Sequence, residues 1–338
     1  MMLEMLYTNM LSPAVLLFVL GLVAALAKSD LAFPKGLSDT LSIYLLLAIG
    51  FKGGIGLSAY PVSELVRPMW AGLMLGMIIP LLVIGYFRLR GLDKYNTVAL
   101  AATYGSVSIV TYGAGVDFVE GLGLSFEGYM NAIVALMEVP AILVSLIMLK
   151  AWKSAGAARK PSTAATLQSR WLPLPQLPWA SVHEALLSKS VLLLIGGLAI
   201  GWICGEEALP VVGPLFIDMY RGFLLLFLLG MGLVCGAKLK ELRREQLSLL
   251  PFALLAPVLF GSLGVWVGSI IDLSIGGAVL LGVLAGSASY IAAPAALRAS
   301  VPEASPSIYL TLALGITFPF NLSVGIPLFY AVAQLLYG

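Results

Sequence analysis

Charge is scarce in this 338-residue chain: 11% of its residues are Asp, Glu, Lys or Arg, where a soluble protein carries roughly 25%. That deficit excludes a soluble domain. Histidine occurs once, as His183, so no histidine-based metal set or acid–base pair can be assembled. The two cysteines, Cys204 and Cys235, lie inside apolar runs and are read as free thiols rather than a disulfide or redox centre. A net charge of +2 from scattered basic residues does not suit a nucleic-acid partner. With no catalytic triad, metal-ligand pair or phosphate loop, an enzyme is not expected. No Lys or Arg precedes Lys28, so the first apolar run lacks the positive flank of a cleaved signal peptide and is read as a helix.

What is abundant is apolar sequence, 60% of the chain. That is enough for on the order of ten membrane helices of about 20 residues each. Runs bounded by Pro, Gly and charge place spans near 11–27, 41–59, 68–87, 95–115, 128–149, 188–204, 215–236, 247–271, 275–298 and 307–336. The fold class expected is therefore an all-α membrane protein, a multi-pass chain embedded in the lipid bilayer. Of nineteen basic residues, sixteen fall on loops 1–2, 3–4, 5–6, 7–8 and 9–10, leaving Lys52, Arg67 and Arg221 for the other side. The excess of positive charge on cytoplasmic loops then makes both termini extracytoplasmic. One long connection, 151–187, carries a Pro-rich stretch between Trp171 and Trp179 that cannot be helical. It separates residues 1–150 from 188–338.

The two halves match at offsets of about 180. Leu11, Ser12 and Val15 answer Leu187, Ser188 and Val191; Gly50 answers Gly230; Pro68 and Pro251 are read as opening the third helices. Gly105-Ser106-Val107-Ser108 in helix 4 answers Gly286-Ser287-Ala288-Ser289 in helix 9, and Tyr129 with Pro140 answers Tyr309 with Pro319. Five helices per half is an odd number, so the second half enters the membrane from the opposite face. The chain reads as two inverted five-helix repeats, a plan of secondary transporters whose sites lie where helices break at the midplane.

Small residues in helices 4 and 9 also permit close packing, but their recurrence at equivalent positions favours a pair of broken helices crossing at the midplane. Half-helix N-termini there would aim N–H groups at an anion. The substrate-binding candidates are Gly105, Ser106, Val107, Ser108, Gly286, Ser287, Ala288 and Ser289. Hydroxyls and freed carbonyls offer oxygen ligands to a hard cation such as sodium. Glu138 is the acidic residue well inside a span, and an intramembrane carboxylate is costly and usually functional. It is read as a cation ligand or counter-charge, the alternative being a structural pair with Lys52 or a hydrogen bond in the helix interior. Sodium-binding candidates are Glu138, Ser108, Thr111, Asn131, Thr317 and Asn321; no resident cofactor or metal other than sodium is expected.

These residues resemble the SbtA-type sodium-dependent bicarbonate transporter family. The likeness is carried by Gly105 to Ser108, by Glu138-Val139-Pro140, by Ala285 to Ser289, and by the run from Leu297 and Arg298 through Pro302 to Ser307 with Tyr309. It extends over nearly the whole chain. It implies a homotrimer in the bacterial inner membrane, each protomer with a core and a gate domain, binding bicarbonate near the crossing of helices 4 and 9 and driven by sodium. It also implies a PII-like cytoplasmic regulatory protein that binds adenine nucleotides and blocks transport. Sodium symport of another small anion, cation/proton antiport on a related plan, and a non-transporting membrane sensor or scaffold stand as alternatives.

Overall fold

The computed structural model describes residues 2–34, 36–158, 187–240 and 244–338. Among them every regular element is helical and there is no strand. The expected stretch from Trp171 to Trp179, His183 and the basic residues Lys35, Arg159, Lys160, Arg170 and Arg243 lie outside the described residues. Six stretches are long and apolar enough to cross a membrane: Leu37–Ser58, Val62–Leu89, Met130–Lys153, Lys189–Lys240, Gln246–Ile270 and Pro306–Tyr337.

In chain order the helices are α1 (Met2–Met10), α2 (Pro13–Leu26), α3 (Leu37–Ser58), α4 (Val62–Leu89), α5 (Lys94–Gly105), α6 (Ile109–Gly121) and α7 (Met130–Ala158). After the connection come α8 (Lys189–Cys204), α9 (Tyr220–Lys240), α10 (Leu250–Ile270), α11 (Ile275–Ala285), α12 (Ala292–Ser300) and α13 (Pro306–Tyr337). The stretch Lys189–Lys240 would be about 78 Å long as one straight helix. It is divided at Gly205, whose φ of 55° turns the chain into short 3-10, α and π turns ending at Asp218.

Local chemistry explains several starts. Ser12 and Ser188 cap α2 and α8 in the same way, each hydroxyl accepting from the N–H three residues on, Val15 (3.3 Å) and Val191 (3.4 Å). Asp93 caps α5 through the N–H groups of Tyr95 and Asn96. Two readings need correction. Helix α1 was not anticipated, since nine residues ending at the Leu11–Ser12 turn are too few for a span. Pro68 does not open the third span: α4 begins at Val62, where Pro61 fixes the entering backbone and Glu64 favours the first turn, and Pro68 lies inside the helix. Pro251 does stand in the first turn of α10.

Packing is reciprocal between the halves. Helix α2 lies along α9 and α3 along α8; α4, α5 and α7 pack together, as do α10, α11 and α13. Lipid is as apolar as a leucine side chain, so such contacts rest on close fit and small residues. A Cβ on Gly50 would lie 2.8 Å from the Leu194 carbonyl oxygen and 3.0 Å from the Gly197 Cα. The counterpart is not Gly230, which faces the Phe33 ring, but Gly232, against the backbone of Phe18 and Leu22. At the centre every residue from 97 to 116 and from 276 to 290 is buried, so α11 and the ends of α5 and α6 that meet at the first break are wrapped by protein.

Candidate functional site

Both central helix pairs are interrupted at their Gly-Ser-X-Ser segments. Helix α5 ends at Gly105, Ser106 is extended (φ −83°, ψ 169°), and Ser108 caps α6. The Ser108 hydroxyl accepts from the Thr111 N–H (3.2 Å) and lies 2.8 Å from the Thr111 hydroxyl. Helix α11 ends at Ala285, residues 287–289 are not helical, and α12 begins at Ala292. There the Ser289 hydroxyl accepts from the Ala293 N–H (3.2 Å). A break frees backbone groups that hydrocarbon cannot satisfy, and here each break satisfies the other. The Ser108 N–H donates to the Ser287 hydroxyl (2.8 Å), which donates to the Leu284 carbonyl (2.8 Å). The Ser289 N–H donates to the Thr103 carbonyl (2.8 Å). Thus Ser108 meets Ser287, and Ser289 meets Thr103, across the two breaks.

Helix α13 supplies a third wall through π turns at Thr311–Thr317 and Asn321–Gly325, a geometry frequent at functional sites. The Asn321 amide donates to the freed Gly286 carbonyl (2.8 Å). Thr317 donates to the Ala253 carbonyl (2.7 Å) and shares a hydrogen bond with the Tyr104 hydroxyl (2.7 Å). Several buried oxygens remain without a partner: Thr103 Oγ1, Ser106 Oγ and Asn321 Oδ1. The break thus keeps unpaired oxygens beside the first turns of α6 and α12, whose N–H groups lack intrahelical acceptors. Such an arrangement offers N–H groups to an anion and oxygens to a hard cation.

Glu138 is 1% exposed and its Oε2 has no hydrogen-bond partner. Ala141, one turn along the same face of α7, packs against Gly105 at the first break: a Cβ on Gly105 would lie 3.0 Å from the Ala141 methyl. The structural pair with Lys52 is not formed. The Lys52 ammonium lies 4.4 Å from the Tyr220 ring centroid and has Glu120 and Asp218 as its acidic neighbours. Asn131 sits apart from Glu138, two turns or about 10 Å along α7. Its amide oxygen accepts from the Tyr112 hydroxyl (3.2 Å) and its nitrogen donates to the Gly128 carbonyl (3.2 Å). Among the described residues no three His, Cys, Asp or Glu side chains are grouped to hold a metal.

Thr103 and Tyr104 lie beside the first break and were not singled out from the sequence. Both directly precede Gly105, so their neighbourhood to the Gly-Ser-X-Ser segment is the signal that could have found them. The bond of Tyr104 to Thr317 has no local signal, because Thr317 is supplied by α13.

Among known proteins, a model of the Na+-dependent bicarbonate transporter superfamily matches residues 13–334. No curated protein matches the chain significantly.

Proposed function

The chain belongs to the Na+-dependent bicarbonate transporter superfamily, and we propose that it is a secondary transporter taking up bicarbonate with sodium by alternating access. The observation that carries the reading is the mutual hydrogen bonding of the two helix breaks, Ser108 to Ser287 and Ser289 to Thr103. It brings two half-helix N-termini to one buried place without an arginine. Bicarbonate is small and planar, and backbone N–H groups with the Ser106 and Ser289 hydroxyls suit its oxygens.

Sodium takes the oxygen-rich side of the same place. Ser108, Thr111, Thr317 and Asn321 are buried polar side chains on α6 and α13. Glu138 adds the charge. Gly105, packed on Ala141 one turn further along α7, ends α5, where the helix dipole is negative, and a bound cation would offset both that end and the carboxylate.

The ten-span inverted repeat is part of the proposal. Reciprocal packing of α2 on α9 and α3 on α8, and matching caps at Ser12 and Ser188, support it. By the same family reading the protein is a homotrimer in a bacterial inner membrane. Its basic cytoplasmic face, which includes the exposed Arg298, receives a PII-like regulator. The deciding experiment is uptake of radiolabelled bicarbonate into proteoliposomes with a sodium gradient and with sodium replaced by potassium. Uptake that needs sodium is expected; equal uptake in potassium removes the coupling, and no uptake of any small anion removes the transport reading.

A further inference from the structure

Away from the crossing, α4 and α10 leave a groove between their outward faces. Leu82 and Val83 form one wall and Leu255, Leu259 and Leu263 the other, enclosing about 460 Å³. From Phe252 to Leu263 the groove runs roughly 16 Å at the α-helical rise, the depth of one leaflet of a ~30 Å hydrocarbon core. Leu82, Leu255 and Leu259 are exposed.

One end of the groove is polar. Tyr86 and Phe252 line both the groove and an adjoining cavity of about 210 Å³ whose other walls include Arg90, Gly91 and Ser248. The Arg90 guanidinium lies 5.5 Å from the Tyr86 ring centroid. Tyr86 in turn stacks on Phe252, with centroids 5.3 Å apart and planes 26° from parallel. Arg90 is the residue after α4, beside Leu89, which is 91% exposed. A one-leaflet apolar slot closed by a guanidinium where its helix ends matches an amphiphile with a single negative head. A second copy of the chain would instead cover α4 and α10 along their whole length and would leave Arg90 without an anion.

We propose that the α4–α10 groove is an anionic phospholipid site, with the head-group phosphate at Arg90 and one acyl chain lying along Leu82, Leu255, Leu259 and Leu263. It requires only that these helices lie in a bilayer, and it stands whether or not the transported anion is bicarbonate. The site also touches the transport machinery: Phe252, its shared wall, packs edge-on to Tyr104 at 4.8 Å, and Tyr104 bonds Thr317.

Native mass spectrometry of the purified full chain, given equimolar phosphatidylglycerol and phosphatidylcholine, tests this. Wild-type protein is expected to retain phosphatidylglycerol in preference. Arg90→Gln is expected to lower that preference about fivefold, the share of one basic residue near an anionic head group. Leu259→Trp, which fills the slot from an exposed position, is expected to lower retention of both lipids. Equal preference in Arg90→Gln, unchanged retention in Leu259→Trp, displacement of bound lipid by inorganic phosphate, or a dimer of the chain in place of bound lipid would each overturn the proposal.

Discussion

An unpaired carboxylate at hydrocarbon depth needs a reason to persist, and Glu138 has no hydrogen bond to its Oε2 and no pairing with Lys52. If it holds sodium, Glu138→Gln keeps size and hydrogen bonding but loses charge. The sodium concentration for half-maximal uptake should then rise at least about tenfold, or ~1.4 kcal/mol. Uptake against sodium and thermal unfolding on one preparation separate this from a structural role, which lowers stability and leaves the sodium curve unmoved. Ser108 tests the anion side. Its hydroxyl caps α6 and its N–H is tied to Ser287, so Ser108→Leu removes a cap worth about 1 kcal/mol and puts a bulky apolar group at the break. Uptake should be lost while protein still reaches the membrane; wild-type uptake would make these serines packing residues. At this scale the sequence was readable where chemistry is local. Gly-Ser-X-Ser marks a break because glycine and serine weaken a helix and satisfy its ends. The bond of Tyr104 to Thr317 was not readable, since Thr317 is brought to it by a helix more than two hundred residues away.

Helices obey the same division. The starts of α2 and α8 follow from a serine cap that acts within one turn, whereas the bend at Gly205 and the π turns of α13 depend on what those segments pack against. Close packing gives one test. Gly50→Ala would drive its methyl to 2.8 Å from the Leu194 carbonyl oxygen and 3.0 Å from Gly197 Cα, atoms that cannot swing aside. A loss of about 1–3 kcal/mol is expected, read as a lowered unfolding temperature. Gly85→Ala in α4, with nothing within 4 Å of its Cβ, is the control and should be neutral or stabilising by up to about 1 kcal/mol. Motion gives another. Helix α9 meets α6 through the Arg221–Asp117 ion pair and through the Tyr220 hydroxyl packed on Gly113, one turn earlier on α6. Beside them lies a cavity of about 280 Å³ lined by Asn9, Ser12, Ala114, Asp117, Arg221 and Leu322. An ion pair with an exposed partner contributes up to about 1 kcal/mol, so Arg221→Gln should raise labelling of a cysteine at Ala114 by a membrane-impermeant thiol reagent up to about fivefold, in a background lacking Cys204 and Cys235. An unchanged rate would mean the pair does not hold the cavity shut.

For the whole molecule, the question is which ends of the helices lie together. The ten-span reading sorts loops into two sets by basic residues alone, and the ion pairs bear on that sorting independently. Lys153 pairs with Glu303 (3.3 Å) and Lys189 with Asp39 (3.1 Å), all four on loops assigned to the cytoplasm. Arg67 pairs with Asp272 (3.8 Å) and Arg221 with Asp117, all four assigned to the opposite side. A span too many or too few between Asp39 and Glu303 would have put one partner of some pair across the bilayer from the other. The Tyr337 hydroxyl, at the C-terminal end, donates to the Leu273 carbonyl (2.6 Å) of the same outer set. Individual helix bounds are less legible than the charge of a loop, because a helix end frays. The expected topology is therefore extracytoplasmic N- and C-termini with the 151–187 connection inside. Reporters active only outside the cytoplasm should work when fused at either terminus and fail when inserted in that connection. Termini on opposite sides would require an odd number of spans, and two five-helix units related by inversion could not then account for the reciprocal packing of α2 on α9 and α3 on α8.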